Sequence, residues 1–118
     1  MKQSEIWIIN LDPTIGSEIN KTRPAIIVSD NNLSILPLKV IVPITDWKEK
    51  FLTIPWMVRI EVNKTNNLTK TSSADCLQIR SISELRFVKK IGIIDNVDLL
   101  KIKVGLTKIL NLNDILGF

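Results

Sequence analysis

The stretch Phe87 to Leu112, "FVKKIGIIDNVDLLKIKVGLTKILNL", is where the chain changes its hydrophobic period. As far as Ile94 it reads as a strand. Asp95 then stands as a helix N-cap, with Asp98 three residues on, where a capping box wants an acid. Beyond it Leu99, Ile102, Leu106, Ile109 and Leu110 fall within an arc of about 100° and form a core-facing stripe. Val97, Leu100 and Val104 lie on another side of the same helix. A small domain does not easily bury both stripes within itself, so the second is expected to contact another subunit, against the plainer alternative that a loop covers it. Gly105 costs about 1 kcal/mol in helix propensity and is expected to permit a close approach there.

Working outward, most of the chain before this switch has strand character. "EIWIINL" (Glu5 to Leu11) ends at Asp12-Pro13, a turn signal that cannot continue a ladder. "AIIVS" (Ala25 to Ser29) is an unbroken apolar run, expected to be buried on both faces and stopped by Asp30-Asn31-Asn32. In "LKVIVPIT" (Leu38 to Thr45), Pro43 suggests an edge or a bulge. "MVRIEV" (Met57 to Val62) alternates with Arg59 and Glu61 outward. "ADCLQIRSI" (Ala74 to Ile82) alternates again and reads as one strand if no bulge intervenes. Short strands followed by one terminal helix predict a mainly β, α+β fold, a compact antiparallel barrel with the helix packed against it.

Composition sets the outer bounds. The 118 residues make one domain, 1–118, with a single modest core. No run of 18 apolar residues and no signal-peptide pattern is found, so a cytosolic chain with no membrane partner is expected. The single cysteine, Cys76, fits that compartment as a small buried hydrophobe. A net charge of +4 permits an anionic partner, nucleic acid first among them. The absence of histidine is more informative, because Ser-His and Cys-His pairs, histidine acid–base catalysis and the commonest zinc sites all need it.

Three polar groups interrupt the apolar pattern. The first loop carries Gly16, Ser17, Glu18, Asn20, Lys21, Thr22 and Arg23; alone it is a solvated hairpin turn. Thr45 ends a strand beside Asp46. Gln78 and Arg80 are two apart, and by themselves make a solvated sheet face. Together they suit a phosphodiester, which wants fixed positive charge and hydroxyl donors. Arg23 suits it best, since a guanidinium binds phosphate in bidentate fashion and stays charged. Pro24 holds Arg23 in extended backbone at the strand entry. The segment "DWKEKFLTIPW" (Asp46 to Trp56) interleaves Trp47, Phe51 and Trp56 with Lys48 and Lys50, a pattern suited to stacking unpaired bases. Trp47 is the better stacking candidate, and Trp56 the better core residue.

"NLDPTIGSEINKTRPAIIVS", "VPIT" and "LQIRSISELR", in that order over nearly the whole chain, resemble the MazF/PemK family of bacterial toxin endoribonucleases. The resemblance implies an SH3-like barrel with small added helices, assembled as a homodimer. It further implies cleavage of single-stranded RNA, usually messenger RNA, with no metal or other cofactor, by attack of the ribose 2′-hydroxyl to leave a cyclic phosphate. The matching positions are Arg23, which would neutralise charge on the phosphorane, and Thr45 and Ser17, which would supply hydroxyl contacts to the same phosphate. Lys21, Trp47, Lys48, Gln78 and Arg80 would hold the RNA. A cognate antitoxin would occupy the RNA groove with an acidic or apolar tail.

The chain departs from the family at the base. Some members carry an Arg and an Asp two residues apart before the Gln-x-Arg region; here the corresponding positions are Asp75 and Leu77. Glu18 has the chemistry of a base, against the alternative of a surface acid beside Lys21. Two other readings stand beside this one: a gyrase-binding toxin of similar fold, whose signature would be the ending Leu116 to Phe118, and a catalytically inactive RNA-binding relative.

Overall fold

The computed structural model describes residues 1–116, the last of them by backbone alone. Seven antiparallel strands, β1 (Glu5–Asn10), β2 (Thr22–Ile27), β3 (Leu38–Asp46), β4 (Met57–Ile60), β5 (Ser72–Asp75), β6 (Arg80–Ser83) and β7 (Phe87–Ile93), are followed by helix α1 (Asn96–Ile109) and one further turn, α2 (Asn113–Leu116). This is the expected mainly β architecture with a C-terminal helix. The ending that would mark a gyrase-binding toxin lies outside the described residues, save for the backbone of Leu116.

The long strand β3 is shared by two sheets. On one side it pairs with β2, at Ala25↔Pro43, Ile26↔Val42 and Ile27↔Ile41. On the other it changes partner along its length, from β6 over Leu38–Ile41 to β5 over Ile44–Asp46. Val42 and Pro43 fall in the gap between those partners. Of the two expected settings, an edge or a bulge, the edge does not hold: Pro43 sits in a central strand, at the point between partners where a residue without an N–H disturbs the ladder least.

The same sharing corrects the reading of Ala74 to Ile82. Instead of one strand, the segment is the end of β5, a 3-10 turn at Cys76–Gln78, and β6. The Asp75 carboxylate accepts the Leu77 N–H at 3.1 Å and caps the turn, the local competition with sheet pairing that Asp side chains offer. Two short strands on the two halves of β3 require such a break between them.

Burial follows the strand pattern. Ile26 belongs to the main core with Ile6, Val42, Ile60 and Ile102, whereas Ala25 and Ile27 face a second cluster with Ile9, Leu11 and Ile41. Of the run Ala25 to Ser29, expected to be buried on both faces, Ala25, Ile26 and Ile27 are so, whereas Val28 and Ser29 lie past the end of β2 and are half-buried. Trp56 packs on the main core as expected. The β2–β3 connection is held from inside by the buried Lys39, whose Nζ donates to Glu84 Oε1 at 2.6 Å and to the Leu36 carbonyl at 2.7 Å. The loop after β4 is organised by the buried Asn66, which donates to the Glu61 carbonyl at 2.8 Å and accepts from Asn63 and Leu68. Gly92 of β7 lies against it: a Cβ there would stand 2.5 Å from the Thr65 and Asn66 carbonyl oxygens.

Helix α1 begins where its sequence says, with Asp95 accepting the Asp98 N–H at 2.8 Å. Ile102 is fully buried, and Leu99, Leu106 and Ile109 pack against the main core. Leu110 does not join them: the helix ends at Ile109, and the chain turns through a left-handed Asn111, leaving Leu110 exposed. Val97, Leu100 and Val104 form an exposed second stripe, Leu100 being 62% accessible. The close approach at Gly105 is on the core side, where a Cβ would meet Cys76 Sγ at 2.9 Å. No helix among the described residues is long and apolar enough to cross a membrane.

Burial, with a smaller contribution from Asp75, pushes the Cys76 thiol up to about 12, so almost no thiolate exists at pH 8. Alkylation by iodoacetamide, followed by mass spectrometry, is expected to be at least ~100-fold slower for the folded protein than for protein unfolded in guanidinium.

Candidate active site

Extending the β2–β3 register two residues beyond Ala25↔Pro43 sets Arg23 opposite Thr45. Arg23 is paired with Ile9 of β1, which holds its backbone from that side, while the pairing of β2 with β3 begins at Ala25. Arg23 and Thr45 line one cavity of about 170 Å³, together with Pro24, Ile44, Asp46, Leu68, Thr69, Lys70 and Ser72. Arg23 Nε donates to the Asn20 carbonyl at 2.9 Å, and its two terminal nitrogens carry no hydrogen bond to the described residues. The guanidinium is thus fixed at one edge and free at the other, as a receptor for a tetrahedral oxyanion requires. Beside it, Asp46 and Lys70 form an ion pair at 3.0 Å.

A second cavity of about 420 Å³ has Pro43 in its wall, the residue before Ile44 of the first, and the two cavities share no lining residue. The second is lined by Leu11, Ser17, Glu18, Ile19, Leu77, Gln78, Ile79 and Arg80. Ser17 and Glu18 therefore stand with Gln78 and Arg80, and not in the cavity of Arg23 and Thr45. Glu18 Oε1 accepts the Ile15 N–H at 2.6 Å, which makes it a brace of its own turn. Gln78 projects from the 3-10 turn, not from a sheet face. It donates through Nε2 to the Ser17 carbonyl at 3.1 Å and accepts the Ile19 N–H on Oε1. Arg80 donates to the Leu11 carbonyl at 3.1 Å. Arg86, which the sequence did not single out, donates to the carbonyls of Asn10 and Asp12.

The first loop is thereby tied to β6 and its flanks by three side chains. Gly16 and Lys21 take left-handed backbone at its two bends, and the Asp12 carboxylate accepts the Lys21 N–H at 3.1 Å. Lys21 itself is exposed. Trp47 lies outside both cavities, edge-on to Phe51 at 5.7 Å and with the Arg59 guanidinium over its ring at 5.2 Å. Lys48 is exposed beside it. Asp75 caps its turn, and burial holds its carboxyl above the usual carboxylate range although the Leu77 and Gln78 amides favour the charged form. Among the described residues no group of three or more His, Cys, Asp or Glu is placed to hold a metal ion.

Replacing Gln78 by Ala removes both of its bonds to the loop. Amide hydrogen exchange at Ile19 is expected to rise about tenfold, the effect of one or two lost hydrogen bonds, while exchange at Ile26 in β2 stays as it is.

Residues 2–110 match the model of the PemK-like, MazF-like toxins of type II toxin-antitoxin systems. Endoribonuclease MazF9 of Mycobacterium tuberculosis is 31% identical over 112 residues, which cover 90% of this chain and 92% of that protein. Endoribonuclease MazF of Staphylococcus epidermidis is 28% identical over 115 residues, covering 97% and 94%. Among solved structures, MazF from Deinococcus radiodurans superposes with a TM-score of 0.79 at 18% identity, over 94% of this chain and 96% of that one. An endoribonuclease in complex with its cognate antitoxin from Mycobacterial species gives 0.73 at 18% identity, over 95% and 96%. The family model spans nearly all of the sequence and a relative at 31% identity covers 90% of it, so this chain belongs to the PemK-like, MazF-like toxins of type II toxin-antitoxin systems.

Proposed function

We propose that this chain is the toxin of its system, a sequence-selective endoribonuclease that cleaves single-stranded RNA at the Arg23–Thr45 cavity. The observation that carries the reading is the free edge of the Arg23 guanidinium, mounted on a strand paired with β1 and lining one cavity with Thr45. The ribose 2′-oxygen attacks the neighbouring phosphorus, the bond from phosphorus to the 5′-oxygen breaks, and a cyclic phosphate and a 5′-hydroxyl result. Negative charge builds on the non-bridging oxygens of the phosphorane. Fixed donors aimed at that charge stabilise it more than they stabilise the ground state. Arg23 supplies the charge and Thr45 a hydroxyl.

The second cavity receives the adjoining nucleotide. Ser17, standing there, serves a neighbouring phosphate in place of the scissile one. Gln78 and Arg80 spend polar groups on the first loop, so they shape the reading surface as well as border it. Lys21 and Lys48 add backbone attraction, and Trp47, with Arg59 covering part of its ring, offers a stacking edge. The placement of Glu18 lends no support to its role as the base. In the cell the toxin works in the cytoplasm as a homodimer, joined through the exposed Val97, Leu100 and Val104 stripe. A cognate antitoxin silences it by laying an acidic or apolar segment in the RNA groove, without help from a membrane.

Purified protein incubated with a long single-stranded RNA in EDTA, with ends mapped by primer extension, tests the activity. Cuts at a recurring short sequence are expected, and binding without cuts would leave an inactive RNA-binding relative. Arg23→Ala is expected to lower cleavage by more than about tenfold with fold and assembly intact; unchanged cleavage would remove the site from this cavity. Leu100→Glu is expected to yield monomer by light scattering, and an intact dimer would place the interface elsewhere.

A further inference from the structure

The Arg23–Thr45 cavity holds one carboxylate and one ammonium among its lining residues, Asp46 and Lys70, and they are paired at 3.0 Å. We infer that this pair is the acid–base couple of the reaction: Asp46 takes the proton of the attacking 2′-hydroxyl and Lys70 protonates the departing 5′-oxygen. The inference rests on the cleavage reading above and names the groups that reading leaves open.

Placement is the first support. Asp46 directly follows Thr45 and is opposite Ser72 in the β3–β5 ladder, and the ladder continues with the Trp47 N–H donating to the Thr71 carbonyl at 3.3 Å. Lys70 precedes that anchored stretch by one residue, and its carbonyl accepts the Ser72 hydroxyl at 2.8 Å. Backbone pairing therefore places Asp46 at the rim of the cavity, and the anchored stretch beside it places Lys70 there. Elimination is the second support. The chain has no histidine, a guanidinium holds its proton too tightly to act as a base, and Glu18 braces a turn in the other cavity. Energetics is the third. Both partners are about 60% exposed, at 60% for Asp46 and 63% for Lys70, and such surface pairs add little to stability, so the fold does not require this one.

An ion pair also starts in the protonation state the reaction needs. As the 2′-oxygen bonds to phosphorus, its proton passes to an Asp46 carboxylate oxygen. The bond from phosphorus to the 5′-oxygen breaks, its electron pair goes to that oxygen, and the proton on it comes from Lys70 Nζ. A neutral acid then faces a neutral amine, and one proton moving from Asp46 to Lys70 restores the pair. No co-reactant is consumed.

The test uses an oligonucleotide containing the mapped cleavage sequence, made once with oxygen and once with sulfur at the bridging 5′ position. A thiolate leaves without a proton. Lys70→Met is expected to lose about 100-fold or more in kcat on the oxygen substrate and to come within about threefold of the parent on the sulfur substrate. Lys70→Arg, which keeps the charge and the pairing but does not release a proton, is expected to behave as Lys70→Met does. Asp46→Asn is expected to lose about 100-fold or more on both substrates. Full activity of Lys70→Arg, equal loss of Lys70→Met on both substrates, or unimpaired Asp46→Asn would overturn the inference. Thermal unfolding checks that each variant is folded. If the parent protein cuts no RNA at all, the cleavage reading itself fails; if it cuts, and Arg23→Ala alone abolishes cutting, only the acid–base pair is lost.

Discussion

The constraint on which the rest of the molecule depends is the double use of β3. One strand of nine residues serves two sheets, and its change of partner between Ile41 and Ile44 forces a break in the chain that follows. That break is the 3-10 turn at Cys76–Gln78: Thr45 and Asp46 pair with β5 before it, and Gln78 and Arg80 of the second cavity stand in the turn and in β6 after it. A strand that stayed with one partner would have no gap for Pro43 and no turn from which Gln78 could reach the first loop. The site is a by-product of topology before it is an arrangement of polar residues.

The second cavity shows how a small protein builds a concave surface from a loop. Loops carry binding residues because they vary freely, yet a loop that wanders gives away affinity. Here Gln78, Arg80 and Arg86 satisfy main-chain groups of residues 10–19, while Asp12 and Glu18 close the loop on itself. Main-chain groups outside a ladder find the partners they need among side chains or water. Supplying them from β6 and its flanks turns that need into a fixed shape.

What was legible in the sequence was local. The burial of Ala25 to Ile27 within the unbroken run at 25–29, the N-cap at Asp95 and the outward Arg59 each follow from period or cap chemistry over a few residues, and each is found. The split within 74–82 was not legible, because either half alternates well enough to be a strand and the break answers a demand made by residues 41–44. Leu110 obeyed the helical period but fell one residue past the helix end, where period carries no information. In the site, Arg23 and Thr45 stood out through their motifs. Lys70 lay in a polar loop with nothing to distinguish it from Lys64, and Arg86 looked like a surface cation. Only the folded chain brings them to a wall or a brace.

The pairing of β1 with β7 has a consequence in time. Glu5 stands opposite Ile93, and the loop that ends in Leu68 and Lys70 rests, through Asn66, on Gly92. An emerging polypeptide of some fifty residues already contains Arg23 and Thr45, yet it lacks the wall that completes their cavity and the strand that seals the sheet. Contacts so distant along the chain are slow to close. The concave wall that Arg23 and Thr45 share is thus completed late, only after residues close to the C-terminal helix have joined the sheet.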